Sequence, residues 1–454
     1  MNSPQPLRVA VIGAGPAGIY ASDLLMKSGT EVEIDLFERM PAPFGLIRYG
    51  VAPDHPRIKG IVNSLHAVME KPQLRFLGNI AVGETVSIDE LRQFYHAIIF
   101  STGAVADRLL DIPGQDLTGS HGAAEFVGFY DGNPEFERNW NLGAEQVAVI
   151  GVGNVGLDVA RILAKTGDEL LVTEIPDNVY ASLKNNQARE VHVFGRRGPA
   201  QAKFTPLELK ELDHSPTIEV IVDPEDIDYD EASEQARRES KSQDLVCQAL
   251  EQYAMRDPQG APHKLYIHFF ESPVEILGEN GQVVGLKTER MEFDGEGGVR
   301  GTGKFNMWPV QAVYRAVGYR SYPVGGVPFD DERAVIPNDG GHILDEAGEI
   351  VPGLYTTGWI KRGPVGLIGN TKSDAKETTE MLLTDYTNGN LSDPVLADTE
   401  AVLEFLKSKQ IPYTTWQGWH RLDQAERALG APEGRERKKI VEWDDMVTHA
   451  RYDA

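Results

Sequence analysis

Two glycine clusters carry the chemistry that can be read from this chain: Gly13-Ala14-Gly15-Pro16-Ala17-Gly18 and Gly151-Val152-Gly153-Asn154-Val155-Gly156. At this spacing the first glycine makes a tight turn and the second lets the backbone approach a pyrophosphate. The third allows close helix–strand packing, while free N–H groups and the helix dipole hold the phosphate charge. One such turn is weak evidence, because plain turns share the spacing. Here each turn follows an apolar run, Leu7–Ile12 or Val147–Ile150, and opens a helical pattern. The two differ in what ends the next apolar run. Val32–Phe37 finishes at Glu38, placed to accept hydrogen bonds from an adenosine ribose. Val191–Phe194 is followed by Arg196 and Arg197, which favour a ribose 2′-phosphate and hence NADP over NAD. At about 1.5–3 kcal/mol per charge-assisted hydrogen bond, one such contact shifts preference about tenfold or more. Arg196 lies 45 residues after Gly151, so the insert 168–190 has to loop out for this pairing to hold.

Two dinucleotide sites in one chain imply an electron relay, with nicotinamide on one and a second redox ring on the other. A flavin is the natural partner, since it accepts two electrons together and releases them singly. The lone Cys247 excludes an intramolecular disulfide, a Cys-x-x-Cys pair, a four-cysteine iron–sulfur cluster and a Cys-rich zinc site. Electrons leaving the flavin therefore go to an external acceptor, and Cys247 reads as an inert filler.

The elements that must position these turns are legible at low resolution. The 454 residues suggest two or three domains. A capping-box spacing, Ser87 to Glu90, predicts a helix start, and Ala97–Phe100 reads as a strand stopping at Thr102-Gly103. Segment 168–190 reads as irregular, 223–230 as a solvated acidic loop, and 264–318 as strands and hairpins. Near Gly353 the chain returns to its first unit through Leu354–Gly358, and a helix is expected over Asn370–Leu383. The boundaries expected are 1–107 and 326–385 for the first, flavin-binding domain, 108–325 for the NADP-binding domain, and 386–454 for a C-terminal extension of no assigned chemistry. The fold class expected is α/β, with two three-layer Rossmann-like domains, the NADP domain inserted into the flavin domain.

With 44 Lys and Arg against 69 Asp and Glu, the formal charge of −25 disfavours nucleic acid and anionic membranes. No signal peptide and no bilayer-spanning run are expected, and cysteine usage points to the cytoplasm.

Longer motifs then become specific. Phe44-Gly45-Leu46-Ile47-Arg48-Tyr49-Gly50-Val51-Ala52-Pro53-Asp54-His55-Pro56 resembles a signature of adrenodoxin-reductase-type ferredoxin–NADP reductases. So do Gly153–Arg161, Arg196-Arg197-Gly198-Pro199 and Gly358–Gly366. The pieces follow the family's order over roughly residues 7 to 385. The resemblance implies that FAD lies on Gly13, Ala14, Gly15, Pro16 and Ala17, with Glu38, Leu46, Val82, Trp359 and the Gly366-Leu367-Ile368 turn. It implies NADP(H) on Val152, Gly153, Asn154, Val155, Arg196, Arg197, Glu208 and Gly366, with Arg108 a further candidate. His55, Asp158 and Glu208 match polar residues that the family places around the two rings; His55 is suited to proton relay. No metal is expected. Gly156 stands where the family more often has Ala, which is expected to loosen helix packing slightly.

The activity implied is NADPH:ferredoxin oxidoreduction: a hydride from NADPH to FAD, then single electrons to an iron–sulfur protein. Such partners are generally acidic, so a local basic rim is expected from Arg48, His55, Arg57, Lys59, Lys361 and Arg362, helped by Lys203 and Lys210. Two alternatives remain open: a flavoprotein component feeding a larger complex, and a non-enzymatic nucleotide redox sensor.

Overall fold

The structure is a computed structural model and describes residues 6–366 and 368–453. Apolar runs that are hydrophobic on both faces form parallel strands, and the helical segments between them cover the sheets. The chain divides into two compact units. The first holds the residues up to 106, 131–134 and those from 319 on; the second holds 107–130 and 135–318.

In the first unit, β1 (Leu7–Ile12) is followed by helix α1 (Pro16–Met26) and β2 (Val32–Phe37). Short helix α2 (Leu46–Tyr49), β3 (Leu74–Leu77) and β4 (Ala97–Phe100) come next. β1 is central, parallel to β2 on one side and to β4 on the other, and β4 in turn pairs in parallel with the late strand Ile350–Thr356. β3 closes the opposite edge beside β2. Alternate residues feed two cores: Leu7, Val9 and Val11 face one, Ala10, Ile12 and Phe100 the other. Three layers result. The capping box is formed, with the Ser87 side chain accepting the Glu90 N–H while Glu90 accepts the Ser87 N–H.

The second unit has a six-stranded parallel sheet in the order Ser120–Gly122, Ala312–Arg315, Gln146–Ile150, Glu190–Phe194, His263–His268 and Ile218–Val222. Strands Glu271–Glu279, Gln282–Phe293 and Val299–Trp308 form an antiparallel sheet of their own.

Three segments differ from the sequence reading. The insert 168–190 is ordered: a 3-10 turn, Gly167–Leu170, and a helix, Asp177–Lys184, fill it. Glu169 makes a capping box with Thr166 and accepts Ser215 and Thr217 hydroxyls, contacts that local periodicity does not reveal. In the acidic segment 223–230, Asp226 is buried, accepting the Phe269 N–H at 2.8 Å and pairing with Arg290 at 2.6 Å. The segment from 386 on belongs to the first compact unit. Trp419, Leu422, Met446 and Ala450 lie in its main core, because helices Trp416–Gly430 and Trp443–Ala450 turn their apolar faces inward. The chain first passes between units at 106/107 and last at 318/319, the latter seven residues before the boundary expected at 325/326. Among the described residues no helix is long and apolar enough to cross a membrane.

Candidate functional site: two glycine turns

Each turn sits where a parallel sheet reverses its strand order, the position at which such sheets leave a crevice beyond their carboxyl ends. In the first unit, Gly13 has φ +108°, and a methyl there would lie 2.6 Å from the Ser101 carbonyl oxygen beyond β4. A methyl at Gly18 would lie 2.1 Å from the Gly13 carbonyl oxygen. At Gly15 a methyl would meet nothing within 4 Å. The second unit repeats the pattern. Gly151 has φ +130°, with Ala316 O 2.2 Å from its would-be methyl; Gly156 is 2.4 Å from Gly151 O in the same sense, and Gly153 opens on empty space.

In both turns, then, the outer glycines are required by the protein's own packing, and the middle one leaves room for a ligand. Gly15 and Gly153 are the N-caps of the two helices, with no side-chain cap and no acidic residue in the first turn. First-turn N–H groups left without a side-chain cap and the positive helix end suit a pyrophosphate, so the residues present fit dinucleotides. Gly156 runs against the expectation of looser helix packing. An alanine would collide with backbone, so glycine at 156 permits the close helix approach instead of loosening it.

Around the first turn, Glu38 follows β2 directly, and its carboxylate accepts the Ala14 N–H at 2.8 Å and the Met40 N–H at 3.0 Å. Burial pushes its carboxyl above the usual value, against the pull of those N–H groups. Pro16 occupies the first helical turn, and Ala14 and Ala17 are buried. Leu46 opens α2 and Val82 packs at the edge of the second core. Trp359 starts the helix Trp359–Arg362 just after Gly358, whose N–H donates to Asp374, and its ring lies 6.3 Å from Tyr319. Gly366 is exposed with φ +89°. Leu367 lies outside the described residues, and Ile368 begins the helix Ile368–Asn388. His55 is buried just before the helix Pro56–Lys59.

Around the second turn, the Val152 carbonyl accepts the Lys203 N–H at 2.8 Å, and the Asn154 side chain accepts the Thr205 N–H at 2.8 Å. Thr205 caps the helix Pro206–Glu211 by accepting the Glu208 N–H. Glu208 is thereby tied to the glycine turn through Asn154 and Thr205, and its carboxylate lies within 4.8 Å of that of Asp158. Asp158 pairs with the buried Arg161 at 2.8 Å. Val155 is partly exposed in the first turn of the helix. Arg196 and Arg197 are exposed just beyond the Glu190–Phe194 strand, and among the described residues neither guanidinium has a carboxylate partner. That strand pairs directly with Gln146–Ile150 despite the insert, so the two arginines stand beside the glycine turn as the sequence requires. Arg108 is exposed, its backbone N–H on the Gly318 carbonyl. Cys247 is buried, and burial raises its thiol pKa.

The basic rim shrinks. Arg48 is buried against Glu426, and Lys361 is buried between Asp374 at 3.0 Å and Glu377 at 2.6 Å, so neither offers charge to a partner. Lys203 and Lys210 are exposed.

Two mononucleotide-type turns on parallel sheets, one followed by Glu38 and one by Arg196 and Arg197, mark the class as a two-dinucleotide oxidoreductase. Residues 7–193 match the pyridine nucleotide-disulphide oxidoreductase family. The NADPH-ferredoxin reductase FprA of Mycobacterium tuberculosis is 39% identical over 98% of this chain and 99% of its own length. The mitochondrial NADPH:adrenodoxin oxidoreductase of Arabidopsis thaliana is 34% identical over 99% of this chain and 96% of its own. The chain belongs to this family of NADPH–ferredoxin and adrenodoxin reductases. A solved structure of the mycobacterial FprA in complex with NADPH superposes with a TM-score of 0.90 at 38% identity, over 98% of this chain and 99% of that one.

Proposed function

We propose that this chain is an NADPH:ferredoxin oxidoreductase that holds FAD on its first unit and NADP(H) on its second. One observation carries the reading: two turns of the same anatomy end in opposite charge, Glu38 in one and Arg196-Arg197 in the other. When bound, NADPH supplies an electron pair, and FAD takes it up and passes it on one electron at a time. The chain's own residues contribute placement, which is most of what transfer between aligned rings needs.

In this proposal the N–H groups behind Gly15 and Gly153 hold the pyrophosphates, and Glu38 accepts from a ribose hydroxyl. The guanidinium groups of Arg196 and Arg197 clamp a 2′-phosphate. Leu46, Val82 and Trp359 wall the flavin. Asp158, on the helix after the second turn, and Glu208, tied to that turn through the Asn154–Thr205 hydrogen bond, orient the nicotinamide end, and His55 holds or moves a proton at its imidazole. The partner is a ferredoxin or similar iron–sulfur protein, and a cytoplasmic setting belongs to the same proposal. The family's adrenodoxin- and ferredoxin-named members support the partner class, and a lone, buried thiol supports the setting.

The test is NADPH-driven reduction of a panel of ferredoxins and flavodoxins at two salt concentrations. Turnover with a ferredoxin that changes with ionic strength is expected, because a −25 protein meets its acidic partner only through local cations. Flavin reduction without transfer to any iron–sulfur protein would refute the assignment.

A further inference from the structure

The C-terminal helix Trp416–Gly430 and the segment running to Lys439 converge on one place, the loop Phe44–Gly50. Phe44 has φ +83°, a left-handed conformation that a bulky residue adopts only under constraint. The constraint is aromatic: its ring stacks on His66 at 5.2 Å and takes Trp416 and Trp419 edge-on at 6.2 Å and 5.6 Å. The loop lies directly on the first glycine turn. The Phe44 N–H donates to the Ala14 carbonyl at 2.8 Å, and a methyl on Gly45 would sit 3.2 Å from the Gly15 Cα.

Two buried charges of the tail complete the grip. Glu426 is fully buried and accepts both Arg48 terminal nitrogens, at 3.1 Å and 2.5 Å, and the Ile440 N–H at 3.0 Å. Lys439, 3% exposed, donates to the Arg48 carbonyl at 2.6 Å and the Asp131 carbonyl at 2.9 Å. The Arg48 guanidinium lies over Trp419 at 5.2 Å. Buried ion pairs stabilise a fold no better than apolar packing does, whereas they fix geometry sharply, because any other arrangement leaves a charge unpaired.

We propose that Glu426 and Lys439 are positioning residues of the flavin site: they hold the Phe44–Gly50 loop closed over the Gly13–Gly18 turn, so that the C-terminal segment governs FAD retention. The inference rests on the assignment of that turn to FAD. It is tested on the full chain, stripped of flavin and titrated with FAD by fluorescence quenching. Amide exchange at residues 44–50 and at β1 is followed in parallel. Lys439→Met and Glu426→Gln are each expected to weaken FAD binding about tenfold or more. Their faster exchange is expected to be confined to residues 44–50. The double variant Arg48→Met/Glu426→Gln leaves no buried charge unpaired, so it is expected to fold and still to lose FAD affinity. Folded variants that bind FAD as tightly as the parent overturn the proposal. So does exchange that rises equally in β1, or a failure of all three to fold, since the tail is then only a stability element. A parent chain that binds no FAD overturns the site assignment itself.

Discussion

The two glycine turns are near copies in backbone and opposites in what surrounds them. In each, the first and third glycines answer to the protein, pressed against Ser101 and Gly13 in one unit and against Ala316 and Gly151 in the other. The middle glycine opens on empty space in both. What differs is the residue after the following strand: Glu38 accepts two backbone N–H groups, while Arg196 and Arg197 are exposed. In the function proposed, the cradle is a shared device and one or two charges outside it decide which dinucleotide it takes.

The first glycine of each turn should be the most sensitive position. Gly13→Ala should yield protein without flavin, while Gly151→Ala should keep its flavin and lose NADPH binding. Bound FAD, read by absorbance, and NADPH affinity, read by calorimetry, check both. Equal loss of both ligands in either variant would deny that the turns are separate sites. Next in size, Arg196→Glu/Arg197→Glu should raise KM for NADPH about a hundredfold with kcat largely kept, and should narrow the preference over NADH. Steady-state kinetics with both nucleotides decides it. A smaller effect is expected from Gly156→Ala, where the methyl meets backbone at 2.4 Å. A loss of about 1–3 kcal/mol in denaturant unfolding of the second unit follows from such overpacking, whereas no loss would restore the view that Ala fits there.

A last effect is one of pH and is confined to acid. Burial, with the neighbouring His192, holds His268 at about 3, below its ordinary value of 6.5. Unfolding therefore takes up a proton, so the stability His268 lends is present above pH 6.5 and fades as the pH falls toward 3. Trp308, 4.5 Å away, reports on this region, and His268→Phe should flatten the acid limb of its fluorescence melt. An unchanged acid limb would contradict that origin.

What was legible in the sequence was whatever is encoded locally. The two turns, the acid and the arginines at strand ends, the Ser87–Glu90 capping box and the run of parallel strands all depend on neighbours within a few residues or on strong periodicity. What was not legible depends on distant partners. Arg48 looked like part of a basic rim, because Glu426, which neutralises it, lies 378 residues on. Lys361 was misread likewise, its partners Asp374 and Glu377 belonging to the next helix. The insert 168–190 carries a local signal too, the Thr166–Glu169 capping-box spacing, and only the bonds from Ser215 and Thr217 to Glu169 lie beyond local reach. Gly156 looked like a tolerable departure because spacing says nothing about the approach of a carbonyl. The tail offered two tryptophans and charges with no pattern, and its meaning appears only once Trp419 and Lys439 meet the loop after β2.

In the function proposed, each turn holds its own dinucleotide and electrons pass from one to the other. Anaerobic mixing of the FAD-loaded chain with one equivalent of NADPH puts this to the test. Rapid bleaching of the flavin is predicted, slowed in Arg196→Glu/Arg197→Glu at the same NADPH and restored at saturating nucleotide. A chain that refuses FAD, or one that binds both nucleotides while its flavin stays oxidised, would contradict the account.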